Sequence, residues 1–160
     1  MWGEQLRSER GSALLLMPAG VLVVLILGAL AVDSAVLFLG ERELADLTAA
    51  AANDAATAAL DAESFYDCGS LQLDEMRARE VVRAVVGARS SDAVEVSGVS
   101  VAVSNDVARP EVTVAAQGTV QLVFTPAIPG AARTRVVSAR STAAAHPLGP
   151  AAAADPECAR

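Results

Sequence analysis

The sequence predicts an α+β chain: a single transmembrane helix that continues into a long α-helix, followed by a small antiparallel β-sheet. Three observations predict it. Ala13 to Val32 is a run of 20 uncharged, almost wholly apolar residues, ALLLMPAGVLVVLILGALAV. Ser34 to about Ala62 has no proline and is dominated by Ala, Leu and Glu. Beyond Asp92 the composition changes to alternating valines separated by turn residues.

A helix of the first run is roughly 30 Å long, about the hydrocarbon thickness of a bilayer. A helix there keeps every backbone group bonded without water. Pro18 lies near its start, where early N–H groups lack intrahelical partners, so at most a slight kink is expected. Arg7, Arg10 and the α-amino group stand before the run, and Asp33, Glu41, Arg42 and Glu43 after it. The Arg bias favours a cytoplasmic N-terminus in the cell (inner) membrane and an extracytoplasmic C-terminal domain. Ala29-Leu30-Ala31 offers a rival reading, a signal peptide cleaved after Ala31 that releases a secreted or cell-wall-associated binding domain. The apolar run is longer than the usual signal core of about 7 to 15 residues. A buried core helix is a third reading, against which stands its uniform apolarity. Asp33 is the membrane-exit carboxylate. It either pairs with a partner's cation or simply marks where the helix enters water.

The remaining segments follow in order. Residues 1–12 form a cytoplasmic tail, 13–32 the anchor, 33–62 an extended Ala-rich helix, and 63–91 a loop and second helix. The antiparallel sheet covers 92–145, and 146–160 is an Ala/Pro-rich tail. In the Ala-rich helix, Leu37, Gly40, Leu44, Leu47, Ala51, Ala55 and Ala58 recur at spacings of three and four. This is a packing seam, whose occupant is either the chain's own sheet or helices of an assembly. Phe65 to Ser70 reads as a loop. Asp74 caps the next helix, Arg77 to Arg89, with Met76, Val81, Val82, Val85 and Val86 on its apolar side. Val94 and Val96 alternate, then Val99, Val101 and Val103 in the opposite phase, so Ser97-Gly98 marks a bulge. Val112, Val114, Ala116, Val120, Leu122 and Phe124 all fall on even positions, the cleanest strand, which Gly118 bends or splits. Arg133 to Thr142 is the last strand.

Composition bounds the chemistry. The 160 residues suit one domain with appendages. Twelve Arg, no Lys and 19 Asp plus Glu give a net charge of −7, so no basic face awaits nucleic acid. Ala supplies 35 residues and aromatics only 3%, which makes a large ligand cavity and a small-molecule substrate unexpected. The single histidine, His146, lies in the tail, leaving little raw material for zinc sites or a Ser-His-Asp hydrolase. There is no P-loop, dinucleotide glycine pattern, G-x-S-x-G or C-x-x-C. Asp61/Glu63 and Asp74/Glu75 are explained by helix starts. No enzyme activity and no cofactor are expected. Arg133, Arg135 and Arg140 form a small basic group, either a solvated strand face or a contact for a partner or anionic lipid. Cys68 and Cys158 allow one disulfide in an extracytoplasmic compartment, worth roughly 4 kcal/mol in the chain-entropy account; otherwise they are two free thiols.

Arg10-Gly11-Ser12-Ala13, the apolar run with early Pro18, Gly28-Ala29-Leu30-Ala31-Val32-Asp33, Leu37-Phe38-Leu39 and the helix holding Ala49 to Ala56 follow one another in an order that resembles the N-terminal segment of TadE/TadG-like proteins of Flp-type (Tad) pilus assembly. Arg133 to Arg140 is similar in style to their β-rich ends. The resemblance covers about residues 10–60. It implies a single-pass structural component of a pilus or related secretion machine, minor-pilin-like, with membrane or pilus-assembly partners or self-association and without catalysis. A prepilin-type cut after Gly11 would place Leu16 where relatives carry Glu, a departure from the processed pattern. The layout is also pseudopilin-like.

Overall fold

Helical hydrogen bonding runs from Glu9 to Ala58 in one 50-residue element, α1, with Pro18 inside it. The structure, a computed structural model, describes residues 9–68, 70–89, 93–106 and 109–145, without the side chains of 9–15, 65, 67 and 68. At 1.5 Å per residue α1 is about 75 Å long. Its two halves meet different surroundings. From Leu16 to Val32 the large apolar side chains are exposed, Leu25 at 67% and Leu30 at 56%. This stretch has a mean hydropathy of 2.7 and is long and apolar enough to cross a membrane. A helix apolar on all sides with no protein over it is a candidate membrane anchor, not a core helix.

From Asp33 onward one face is covered. Gly40, Leu44, Leu47, Thr48, Ala51, Ala52, Ala55, Ala56 and Ala59 are buried, at helical spacing. Gly40, Leu44, Leu47, Ala51 and Ala55 of the expected seam are thus buried, and the chain's own sheet together with the helix Glu75–Arg89 covers them. Leu37 is only half-buried at its upper end. Ala58 is a correction: it is exposed, and Ala59 takes the place against the core.

The helix stops before Ala62 because the chain turns to make an isolated antiparallel bridge between Leu60 and Leu73. The Asp61 N–H donates to the Gln72 carbonyl at 2.9 Å, and the Asp74 N–H to the Ala59 carbonyl at 2.8 Å. A short helix, α2 (Ala62–Cys68), replaces the expected loop over Phe65 to Cys68. Asp61 starts it, accepting from the Glu63 N–H at 3.1 Å and from the Ser64 hydroxyl, which holds its carboxyl below the usual range. The next helix, α3 (Glu75–Arg89), has the expected cap: Asp74 Oδ1 accepts from the N–H groups of Met76 at 2.8 Å and Arg77 at 3.2 Å. Ala78 and Val82 are buried beneath it, and Val81, Val85 and Val86 pack alongside. Met76 is 80% exposed, not on the apolar side, because the first turn points it away from α1.

Three strands complete the fold: β1 (Glu95–Asn105), β2 (Pro110–Gln121) and β3 (Thr134–Ala144), antiparallel and in sequence order. The register slips between Val96 and Gly98, the expected bulge. Every even-numbered residue of β2 is buried. Gly118 neither breaks nor splits the strand. A Cβ there would stand 2.7 Å from Val94 Cγ1 and 3.0 Å from the Glu95 carbonyl oxygen, so glycine lets β1 pass closely. The strand ends at Gln121 and not at Phe124, for a reason that lies in α1. Asn105 closes the open end of the sheet: its carboxamide accepts from the Leu73 N–H at 2.9 Å and donates to the Leu73 carbonyl at 3.1 Å.

The core has two parts: Leu44 and Leu47 of α1 pack on Val94, Val120 and Val137, and the alanines from Ala51 to Ala59 pack on Val82, Val112 and Val114, where burial stabilises only if backbones come close. Gly40 marks the closest approach, where a Cβ would collide with Val120 Cγ2. Buried Thr48 shares a hydrogen bond of 3.1 Å with Ser141 and donates to the Ala45 carbonyl at 2.9 Å. Gly40→Val should overpack this contact and destabilise the domain by about 1–3 kcal/mol. Thermal unfolding in detergent checks it, with Gly87→Val on the exposed side of α3 as the comparison that lacks the clash.

Candidate functional site

Asp33 is the first residue past the apolar run, and it is only 7% exposed. Helix α1 aims its carboxylate at the chain beyond β2. Oδ1 accepts from the backbone N–H groups of Val123 at 2.8 Å and Phe124 at 2.9 Å. Oδ2 accepts from the Thr125 N–H at 2.8 Å and also from the Thr125 hydroxyl. Four donors thus converge on one carboxylate at the start of the 3-10 turn Thr125–Ala127. The Thr125 hydroxyl and the backbone N–H groups hold the Asp33 pKa down to about 2, against a smaller opposing push from desolvation. Of the two readings of Asp33, neither a solvated marker nor a partner's salt bridge describes it: it is a buried clamp between α1 and the 122–128 loop.

The clamp explains where β2 ends. Leu122 continues one bond of the ladder, its N–H donating to the Arg133 carbonyl at 3.0 Å. The next three N–H groups are taken by Asp33, so Leu122 and Phe124 leave the even-numbered strand pattern. The turn then closes on itself, with the Ala127 N–H to the Phe124 carbonyl at 3.0 Å and the Ile128 N–H to the Thr125 carbonyl at 3.0 Å.

Folding the loop back along α1 makes an apolar groove of about 390 Å³, open to the outside. Leu25, Ile26, Ala29 and Leu30 form one wall, Phe124 and Ile128 the other, and Asp33 closes its end. Its polar side chains are the Asp33 carboxylate and the Thr125 hydroxyl, which are bonded to each other. Among the described residues, no group of three or more His, Cys, Asp or Glu stands together to hold a metal ion. A second groove, between α3 and β1, is lined by Arg79, Arg83 and Val99 among others, and Arg79 is bonded there to Glu75.

Arg133, just before β3, and Arg135 and Arg140 within it are all exposed, the first two next to the loop. The candidate packing face from Gly40 to Ala55 is covered by the chain's own sheet and by α3. The Cys68–Cys158 pairing and His146 lie outside the described residues. The sequence carried one visible trace of the site, the uncharged stretch Leu122 to Ala132, but its partner Asp33 is some 90 residues away.

Asp33→Ala should release the loop. Amide exchange at Val123, Phe124 and Thr125 should quicken on the order of tenfold or more, the scale of charge-assisted hydrogen bonds. Asp33→Asn should do likewise, because its NH₂ would face donors. A carboxyl whose folded pKa is depressed stabilises fully above its ordinary value of 3.8 and stops doing so as pH falls through about 2. The same three amide resonances should therefore titrate together with a midpoint near 2, not near 4.

Comparison with family models, with curated proteins and with solved structures found no match, so the reading of this chain rests on its own residues.

Proposed function

We propose that the chain is a single-pass structural component of a membrane-anchored assembly. Its N-terminus is cytoplasmic, its domain lies outside the cytoplasm, and it acts through packing and not chemistry. The observation that carries this reading is the continuity of α1. One helix is bare and apolar from Leu16 to Val32 and then serves as the central strut of the sheet. A rod of this kind transmits position rigidly between bilayer and domain. The order of elements that resembles TadE/TadG-like proteins suggests a Flp/Tad-type pilus or a related secretion machine as the assembly.

Beyond Gly40 the apolar face of α1 is covered by the sheet and α3, and its exposed face carries Glu41, Arg42, Asp46 and Asp54, which favours the membrane span as the place where helix partners pack. Gly28, Ala31 and Ala35 are exposed at spacings of three and four. Small residues let helices approach closely where lipid offers no hydrophobic drive for association. The rival reading, a binding domain released after Ala31, requires a cut inside α1. Ala29 and Leu30 there are helical and line the groove beside the loop, which favours the uncut anchor.

Alkaline carbonate extraction with N-terminal sequencing separates the two. The anchor reading expects the full-length chain in the pellet. Soluble protein beginning at Val32 would replace it with the released domain. For the assembly role, photo-crosslinking from Gly28 and Ala31 in cells should capture either this chain or other membrane-embedded components. Gly28→Leu should reduce the yield several-fold while leaving the chain in the pellet.

A further inference from the structure

We propose that the 122–129 loop is a second membrane contact: Val123, Phe124 and Ile128 enter the outer boundary of the same bilayer that α1 spans, with Arg133 and Arg135 at the level of the lipid phosphates. The proposal rests on the anchor reading above, and four observations carry it.

The first is depth. The groove between the loop and α1 reaches Leu25 and Ile26, which lie roughly 10 Å along the helix before Asp33. With Val32 at the end of the hydrocarbon region, the flank of α1 that the loop covers lies within the bilayer. The second is composition. From Leu122 to Ala132 there is no charged residue. Val123, Phe124 and Ile128 are 58%, 45% and 59% exposed, continuous with the bare surface of the span. A soluble domain gains nothing by turning three such side chains outward next to a helix that is itself in lipid.

The third is the backbone: irregular chain can approach lipid only where its N–H groups are partnered and its carbonyls are partnered or reach interfacial water. Every N–H from Leu122 to Ile128 has a partner within the protein. Leu122 donates to Arg133, Val123, Phe124 and Thr125 donate to Asp33, and Ala127 and Ile128 donate within the turn. Residue 126 is proline and has no N–H, and Pro129 follows. The Thr125 hydroxyl is also spent on Asp33. This loop presents no donor that needs water. The fourth is charge. Arg133 and Arg135 are exposed where the chain leaves the loop, and long basic side chains beside an inserted apolar segment reach naturally toward anionic headgroups.

The Asp33 clamp thereby gains a reason. A carboxylate at the end of a span would ordinarily be hydrated. Here its ionised form substitutes for water on behalf of three loop amides.

The test uses the full-length chain in vesicles of phosphatidylethanolamine and phosphatidylglycerol. In a Trp2→Phe background, single tryptophans are placed at Phe124→Trp, Ile128→Trp, Leu25→Trp and Met76→Trp. At 124 and 128, emission should shift to shorter wavelength. Lipids brominated on their acyl chains should quench it several-fold more than at 76, and aqueous iodide several-fold less. If 124 and 128 behave like 76 while 25 is quenched by brominated lipid, the loop proposal is overturned and the anchor stands. If 25 also behaves like 76, the anchor itself fails. A photoreactive benzoylphenylalanine at 124 gives an independent readout. Crosslinks to lipid support the proposal, whereas crosslinks mainly to a second copy or to another protein overturn it.

Discussion

Helix α1 has to satisfy two environments in one uninterrupted backbone, and everything else in the fold adjusts to that. Over its first half the surroundings reward apolar area on every side. Over its second half they reward one narrow face, with Leu44, Leu47 and Thr48 first and only alanine from Ala51 to Ala59. Alanine contributes little transfer free energy, so the sheet can be held only by coming close enough for many backbone and valine contacts. Gly40 beneath Val120, and Gly118 beside Val94, are the places where the approach is tightest. The run of small residues from Ala51 to Ala59 is thus a packing requirement as much as a helix preference.

The changeover between the two environments is a single residue. Asp33 accepts four hydrogen bonds, and in doing so it ends β2, starts the 3-10 turn and lays Phe124 and Ile128 against the span. A neutral side chain could not do this. Three backbone donors converge, and only a group that accepts at both atoms meets them all. The depressed pKa is the same fact viewed from the proton's side: protonation would place a donor among donors.

Much of this was legible from residue order, and the exceptions share a cause. The β2 alternation, the bulge at Gly98, the Asp74 cap and the seam from Gly40 to Ala55 all follow from neighbours within a few positions, where period and capping rules apply. Ala58 and Phe65 were misplaced by a turn or less, because Leu60 pairs with Leu73 and Asp61 starts a new helix, a tertiary bridge that no local pattern announces. The end of β2 was misplaced for a stronger reason. Leu122 and Phe124 continue the even-numbered apolar pattern, so periodicity extends the strand. What stops it is a carboxylate about 90 residues earlier that outcompetes a neighbouring strand for the same N–H groups. The candidate site was therefore half visible: Asp33 stood out by position, while its role depended on a contact that only the fold creates.

A helix alone fixes a domain poorly on a membrane, because it can rotate about its own axis and tilt in any direction at small cost. Two contacts at different places around the helix remove that freedom. With the loop seated in lipid on the Leu25/Ile26/Ala29 side, the protein has a preferred underside, and the sheet is held at a set angle above it. The strand face turned away from α1 carries Thr113 bonded to Thr142 at 2.8 Å, with Ser100 and Gln117 nearby. That face is polar, shallow and free of α1. Rigid coupling through α1 means that a partner bound there, or a neighbour packed on Gly28 inside the bilayer, meets a domain whose orientation is already decided. On the proposed reading of a component that acts by position, reducing the orientations it can adopt is itself the useful work, since each one removed is entropy that assembly need not remove later.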